Sequence, residues 1–309
     1  MNQHFPVLLK EAINCLNIQA DGVYIDGTFG RGGHSQAILK KLSNKGRLIA
    51  IDKDFQAIQS AQEKFHLDAR FEIIQGSFTQ LPEICHNRQL TGKINGILFD
   101  LGVSSPQIDD PERGFSFQND GPLDMRMSQN HGQSATDWIN RCEATEMIQV
   151  FKEYGEERFA KRIANAIIEA RLEKPITTTG QLSQIVTKAN PAWERHKHPA
   201  TRVFQAIRIL INSELDDLKN GLESSLPLLA NKGRLVVISF HSLEDRIVKR
   251  FMRDNAKGPV YPKGVPVIAE QIKADFKRPI KAIKASEQEI NLNARSRSAI
   301  LRSFERQNS

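Results

Sequence analysis

The sequence predicts an α/β protein: a parallel sheet of the nucleotide-binding kind with an all-helical domain inserted into it. Three observations predict this. Apolar runs that read as buried strands end repeatedly in a carboxylate. A glycine-rich turn follows the first of them. A long stretch without any strand candidate, about 134 to 211, then separates the fourth run from the fifth.

Residues 6–18 have helical periodicity, with Pro6 suited to a first turn. Val23, Tyr24 and Ile25 read as the first buried strand, which stops at Asp26. A loop carrying Gly27, Gly30, Gly32 and Gly33 follows, and Ser35 opens a helical pattern through Ile38, Leu39 and Leu42. Glycines let the backbone turn sharply and let a ligand lie against it. The dinucleotide fingerprint is incomplete: Gly30 and Gly32 fit its first two places, but Ser35 occupies the third. A carboxylate at the strand end followed by glycines suits S-adenosylmethionine instead, which has a ribose, an adenine and a zwitterion but no pyrophosphate.

A turn at Asn44-Lys45-Gly46 leads to the second strand, Arg47 to Asp52, whose terminal carboxylate stands where it can accept from both hydroxyls of a ribose. A helix over 55–65 and a strand over 71–75 follow. Phe78, just past that strand, offers an aromatic face to an adenine or packs as core. Residues 94–101 form the fourth strand, with Asp100 near its end. Ligands of such sheets bind outside the carboxyl ends of the strands, and Asp26, Asp52, Phe78 and Asp100 all fall there.

Residues 102–127 are rich in loop residues, and a long loop of this kind is usually functional. The helical stretch then reads as pieces over 135–140, 143–154, 156–171 and 179–188. A further helix from Thr201 runs past 211 to about Leu226 and bridges two domains. Asn231-Lys232-Gly233 reads as a turn, 234–240 as the fifth strand, His241 onward as a helix, and 298–304 as the last strand. The domain reading is therefore 1–105 with 212–309 for the sheet domain and 106–211 for a helical substrate-recognition domain.

The 309 residues carry a net charge of +7, unevenly placed. Residues 246–309 hold 15 Lys and Arg against 6 Asp and Glu, while the remainder holds 28 against 30. A basic end on a near-neutral body suggests a polyanionic partner, nucleic acid first. No apolar run approaches the roughly 18 residues of a membrane span, and Met1 to Leu9 has no basic-then-apolar signal region, so the reading is cytoplasmic with no membrane partner. Cys15, Cys85 and Cys142 match no zinc or redox spacing, so no metal is expected.

Taken together the chain resembles the RsmH (MraW) family of bacterial ribosomal RNA methyltransferases. The marks are His4 with Pro6-Val-Leu-Leu, Asp26-Gly-Thr-Phe-Gly-Arg-Gly-Gly-His-Ser35, Asp100-Leu-Gly-Val-Ser-Ser-Pro-Gln107, Arg113-Gly-Phe-Ser-Phe117, Gly121-Pro-Leu-Asp-Met-Arg126, Tyr154-Gly-Glu-Glu157, His198-Pro-Ala-Thr-Arg202 and Ser239-Phe-His-Ser-Leu-Glu-Asp-Arg246. One departure is Ala294, where a proline is expected before the basic pair. The resemblance implies a Rossmann-like methyltransferase sheet and S-adenosylmethionine as cofactor, bound by Gly32, Gly33, His34, Asp52, Phe78, Asp100 and Gln107. It also implies methylation of the exocyclic N4 amine of one cytidine in the decoding region of 16S rRNA, as naked RNA or within the small ribosomal subunit. A homodimer is left open.

Cytosine's amino nitrogen is a poor nucleophile because its lone pair is delocalised into the ring. Acceptors for its protons would help it pyramidalise, and in-line placement would do the rest. In the loop after the fourth strand, Ser104, Ser105 or a nearby backbone carbonyl is the candidate acceptor for the amine, with Asp100 shared between cofactor and catalytic site; Ser104-Ser105-Pro106 can equally be a plain turn. A target base must leave its stack, and Phe115 or Phe117 could then stack on it, one of the two being core instead. His241 either touches RNA or caps the helix that follows. Arg202, Arg208, Arg246, Arg295 and Arg297 are candidates for phosphate contacts. Competing readings are an amino-methyltransferase for another RNA or DNA base, an NAD-linked oxidoreductase, and a binding module without catalysis.

Overall fold

The computed structural model describes residues 6–192, 198–257 and 274–307. His4 and most of the Pro/Gly/Lys-rich stretch from 258 lie outside them. The chain divides into two compact units, Met1–Gly102 with Asp216–Ser309, and Val103–Leu215.

In chain order the first unit begins with α1 (Leu9–Leu16), β1 (Val23–Asp26), α2 (Gly33–Leu39), β2 (Arg47–Asp52), α3 (Phe55–Phe65), β3 (Phe71–Gln75), α4 (Leu81–Asn87) and β4 (Ile94–Asp100). The second unit carries α5 (Ser105–Asp109), α6 (Ala135–Arg141), α7 (Ala144–Glu153), α8 (Ala160–Glu173), α9 (Thr179–Ala189) and α10 (Thr201–Ile211). The chain then returns through α11 (Glu214–Ser225) to β5 (Leu229–Ser239), α12 (Ser242–Asn255), β6 (Ile283–Lys284), α13 (Glu287–Leu292) and β7 (Ile300–Glu305).

The sheet order is β3-β2-β1-β4-β5-β7-β6. β1 to β5 pair in parallel, and β7 runs antiparallel to β5 and β6. This is the Rossmann-like order with an antiparallel closing strand. Parallel strands are covered on both faces, which is why β2 and β4 read as nearly continuous apolar runs. Leu48, Ile49, Ala50, Ile51, Ile97, Leu98 and Phe99 are all fully buried. The order reverses at β1, so a crevice opens between the carboxyl ends of β1 and β4.

Four expectations are corrected. The helix from Thr201 does not run to Leu226: it ends at Ile211, and Ser213 takes a left-handed φ of 53° before α11 begins. Asn212 causes the break, because its side-chain amide donates to the Met125 and Arg208 carbonyls while its oxygen accepts from Met127 N–H. The helix expected from Glu156 starts at Ala160, since Glu156 has φ 50° and the buried Glu157 turns back to accept from Phe159 N–H at 2.8 Å. Asn231-Lys232-Gly233 is a bulge inside β5, where pairing jumps from Ile94–Leu229 to Gly96–Arg234. The opening helix starts at Leu9 rather than Pro6, because Leu8 is left-handed at φ 52°.

The second unit packs its helices around one core that includes Trp138, Phe151, Ile163, Ile167, Leu182, Phe204 and Ile207. Arg113 is buried in this unit. Its guanidinium donates to the Arg126 and Met127 carbonyls and lies over the Phe115 ring at 5.7 Å. Among the described residues no helix is long and apolar enough to cross a membrane.

Candidate active site

Three strands of the sheet unit end in carboxylates. Asp26 ends β1, Asp52 ends β2 and Asp100 ends β4. Asp26 is fully buried and accepts from Ser35 Oγ at 2.6 Å and Thr28 N–H at 3.3 Å. Asp52 accepts from Gly30 N–H at 2.7 Å on one oxygen and Asp54 N–H at 2.8 Å on the other. Burial pushes both carboxyls up to about 6, against the pull of these hydrogen bonds. Both remain mainly ionised at neutral pH.

Asp100 is different. Its backbone N–H donates to Thr28 Oγ1 at 2.6 Å. Its Oδ1 is buried and has no hydrogen-bond partner among the described residues. Its Oδ2 lies 3.5 Å from Nδ1 of His34. Burial raises this carboxyl well above the usual range, and the charges of Asp26 and Glu244 add to the rise. A quarter of the side chain stays accessible, which moderates that rise. A buried polar atom left unsatisfied costs stability unless something else meets it, so Oδ1 marks where a ligand is expected.

His34 is 5% exposed, in the first turn of α2. Its Nε2 lies 3.1 Å from the Val7 carbonyl. A carbonyl only accepts, so Nε2 carries the proton and Nδ1 keeps a lone pair. Burial lowers this imidazole to about 4, so it is neutral at physiological pH. Gly32 just before it takes φ 75°, and a Cβ there would meet the Phe29 ring at 2.5 Å; only glycine fits this turn.

Phe78 follows β3. Its ring packs against Phe99 with centroids 4.8 Å apart, and Gly221 of α11 lies so close that a Cβ would sit 2.3 Å from it. The tip of β3 is tied to α11, because Ser77 Oγ donates to Asp217 at 3.1 Å and Lys53 pairs with the same oxygen. Asp217 and Lys53 are site-shaping residues that sequence reasoning missed; the only signal was that Lys53 directly follows the acidic tip of β2.

Past β5, His241 is the N-cap of α12. Its Nδ1 accepts from Glu244 N–H at 3.5 Å, and Glu244 Oε2 accepts in return from the Phe240 and His241 N–H groups at 2.8 and 3.3 Å. Its side chain is 10% accessible, and its Nδ1 serves the cap. Glu244 itself is 2% exposed. Arg246 is exposed on the first turns of α12. Arg295 is half-buried and Arg297 exposed, both in the short 3-10 turn Ala294–Ser298.

The remaining expected residues lie in the second unit. Ser104 and Ser105 do not form an open loop. They start α5, with Ser104 N–H donating to the side-chain oxygen of buried Gln107 at 2.8 Å. Phe115 is core, packed with Leu123, Met125 and Trp138, so it cannot stack on a base. Phe117 is half-buried. Its ring stacks on His198 with centroids 4.5 Å apart and meets Phe204 edge-on at 4.9 Å. Arg202 is half-buried on α10. Arg208 makes a two-pronged ion pair with Glu214, both contacts at 2.8 Å.

The model of the MraW methylase family matches residues 1–307. The chain is 59% identical over 302 residues to the ribosomal RNA small subunit methyltransferase H of Legionella pneumophila strain Corby, covering 98% of each chain. It is 58% identical over 302 residues, again 98% of each, to the protein of the same name from strain Paris. Among solved structures, an rRNA methylase from Streptococcus thermophilus aligns over 97% of this chain and 95% of its own, at 12% identity and a TM-score of 0.39.

Proposed function

The chain belongs to the MraW methylase family, and from that premise we propose that it methylates the exocyclic N4 amine of one cytidine in the decoding region of 16S rRNA. It is a methyltransferase, and its methyl donor is S-adenosylmethionine. The residues of the sheet edge fit that donor: strand-end carboxylates and backbone N–H groups in a glycine turn. In this reading Asp52 holds the ribose hydroxyls, Phe78 borders the adenine, and the turn through Gly32, Gly33 and His34 receives the amino-acid end. When bound, the donor supplies an electrophilic methyl group on a sulfonium.

The observation that carries the amine reading is Asp100: a buried carboxyl oxygen with no hydrogen-bond partner among the described residues, at the carboxyl edge of the sheet. An amine being methylated has N–H bonds to donate, and a carboxylate oxygen of this kind accepts one. Ser104 and Ser105, a few residues on, are proposed to contribute further acceptors. RNA as substrate is supported by the names of the Legionella relatives and by the basic stretch 246–309. We assign base stacking to Phe117, whose half-buried ring already carries an aromatic neighbour, and phosphate contacts to Arg202, Arg246, Arg295 and Arg297. The second unit would thus recognise substrate, within the cytoplasm and on the small subunit or its RNA.

The test is mass-spectrometric mapping of 16S rRNA from cells with and without the protein, followed by methylation of that RNA, naked and in small subunits, by the purified protein. Loss of one N4-methyl group from a decoding-region cytidine, restored in vitro, is expected. A methyl group on a ring carbon, on a ribose or on another base would overturn the reading.

A further inference from the structure

We infer that Asp100 and His34 act as a one-proton pair, in which Asp100 takes the proton lost by the substrate amine and His34 Nδ1 then accepts a hydrogen bond from the new carboxylic acid. The inference rests on the amine reading above and names the group that receives its proton.

Three observations support it. First, the Val7 carbonyl fixes the proton of His34 on Nε2, 3.1 Å away, so Nδ1 presents a lone pair. Second, that lone pair faces Asp100 Oδ2 at 3.5 Å. In its ionised form the carboxylate and the unprotonated ring nitrogen are both acceptors, and neither bonds the other. The separation suits a resting pair waiting for one proton, since catalytic hydrogen bonds commonly tighten only when charge moves. Third, Oδ1 of the same carboxyl is buried and has no hydrogen-bond partner among the described residues, so its lone pairs are left for a donor.

The groups facing Asp100 all favour protonation. Asp26 stands at the end of β1, Glu244 in the first turn of α12, and Asp52 lies beyond Asp26 at the end of β2. Neutral His34 on α2 stands 3.5 Å from Oδ2. Burial beside Asp26 and Glu244 makes Asp100 a far stronger base than an exposed aspartate.

The balance is simple. The amine nitrogen gains the methyl group and becomes cationic as the sulfur–methyl bond breaks. Its N–H bond then breaks, the electron pair returns to nitrogen, and the proton joins the Asp100 carboxylate. A half-turn about the Cβ–Cγ bond, a soft two-fold torsion, brings the O–H to His34 Nδ1. His34 is thus a positioning residue: it steadies the acid form of Asp100 and never carries the proton itself.

Two variants separate this role from a structural one. His34→Gln keeps an N–H for the Val7 carbonyl and offers no acceptor at the Nδ1 position. His34→Asn keeps an acceptor there and loses the Val7 contact. For His34→Gln the single-turnover methylation rate is expected to fall about 10- to 100-fold, short of the roughly 10²–10⁴-fold of losing a general base outright. Its acid limb moves to lower pH, because the protonated form of Asp100 has lost its partner. Because His34 also borders the donor's amino-acid end, the rate is read at saturating S-adenosylmethionine, with calorimetric affinity measured alongside. His34→Asn should restore the wild-type acid limb despite lower thermal stability. An unmoved acid limb in His34→Gln, or a loss confined to cofactor affinity, overturns the pair.

A second readout needs no activity. In the protein alone, with ¹⁵N-labelled histidine, His34 should hold the neutral Nε2–H tautomer down to about pH 4. A proton on Nδ1 at neutral pH overturns the inference. If wild-type protein puts no methyl on a cytidine amine, the substrate reading falls, and the tautomer still decides whether the pair exists.

Discussion

Asp100 in the sheet unit and Arg113 in the helical unit are both charged side chains largely removed from solvent, and they are held in opposite ways. Arg113 is enclosed by its own unit: two backbone carbonyls accept from its guanidinium and the Phe115 ring lies beneath it. Asp100 is enclosed without being satisfied. One oxygen has no partner among the described residues, and two further carboxylates press on it. The cation organises a loop, and its guanidinium is met from within its own unit at all but Nε. The anion is costly to keep and receives little from its neighbours, which is the arrangement expected where a ligand or a proton completes the contact. Asp26 and Asp52 fall between the two. Each is buried and raised, yet each is held by donors of the glycine turns.

The strongest way to break that contrast is to neutralise each member. Asp100→Asn keeps the shape of the side chain and removes the base. Methyl transfer should fall about 10²–10⁴-fold, with thermal stability unchanged or raised because an unsatisfied buried charge has gone. An unchanged rate would reduce Asp100 to a structural group. Arg113→Ala should do the reverse. It strips the Arg126 and Met127 carbonyls of their donor and opens a gap above Phe115, costing about 2–4 kcal/mol in chemical denaturation. Affinity for S-adenosylmethionine should hold, because the carboxylates and glycine turns belong to the other unit. Loss of cofactor binding in Arg113→Ala would show that Arg113 does more than organise its loop.

The two regions also differed in how much the sequence disclosed. In the sheet unit Phe55–Phe65 and Phe71–Gln75 fall where periodicity puts them, and Asp26, Asp52 and Asp100 do end strands. A strand buried on both faces leaves an unbroken apolar signature, and its first carboxylate announces its end. The helical unit gives no such punctuation. Phe115 and Phe117 are two residues apart in one charged loop; only the tertiary structure separates a core ring from a half-buried one. The break at Asn212 depends on carbonyls and amides contributed from residues 125–127, which no local pattern encodes. Glu244 was equally opaque. In sequence it is one acidic residue in the first turn of a helix, where solvent exposure is the rule, and in the fold it is a buried capping partner that presses on Asp100.

Acidification offers a milder probe of the sheet edge. Asp26 and Asp52 have folded values raised to about 6 by burial, above those of an unfolded chain. The folded state therefore holds protons that the unfolded state has released between roughly pH 4 and 6. These two groups lower stability above that window and relieve it as pH falls. Cofactor binding runs the other way if ribose hydroxyls donate to an ionised Asp52. Affinity for S-adenosylmethionine should drop about tenfold from pH 7 to pH 5, the effect of one titrating site, while the melting temperature of the free protein does not fall in step. Parallel losses of affinity and stability would mean that Asp52 supports the fold and not the ligand. In Asp52→Asn the affinity should be lower at neutral pH and nearly flat across the same range.

The smallest effect is expected at the basic end, where charge is exposed and shared among many side chains. Arg297 is solvent-exposed on a short turn ahead of β7, whereas Arg208 is committed to Glu214 by two contacts at 2.8 Å. Both are arginines a sequence would offer to a phosphate, and the fold distinguishes them by what each has already paired with. Arg297→Ala should weaken binding of 16S rRNA a few-fold at low salt and make the logarithmic salt dependence shallower by about one, the release of roughly one counterion. Arg208→Ala should leave that slope alone and lower stability instead, since Glu214 loses its partner. Equal slopes in Arg297→Ala and wild type would remove Arg297 from the RNA surface. A shallower slope in Arg208→Ala would mean that its ion pair opens to admit the phosphate, and that a satisfied charge can still serve as a binding one.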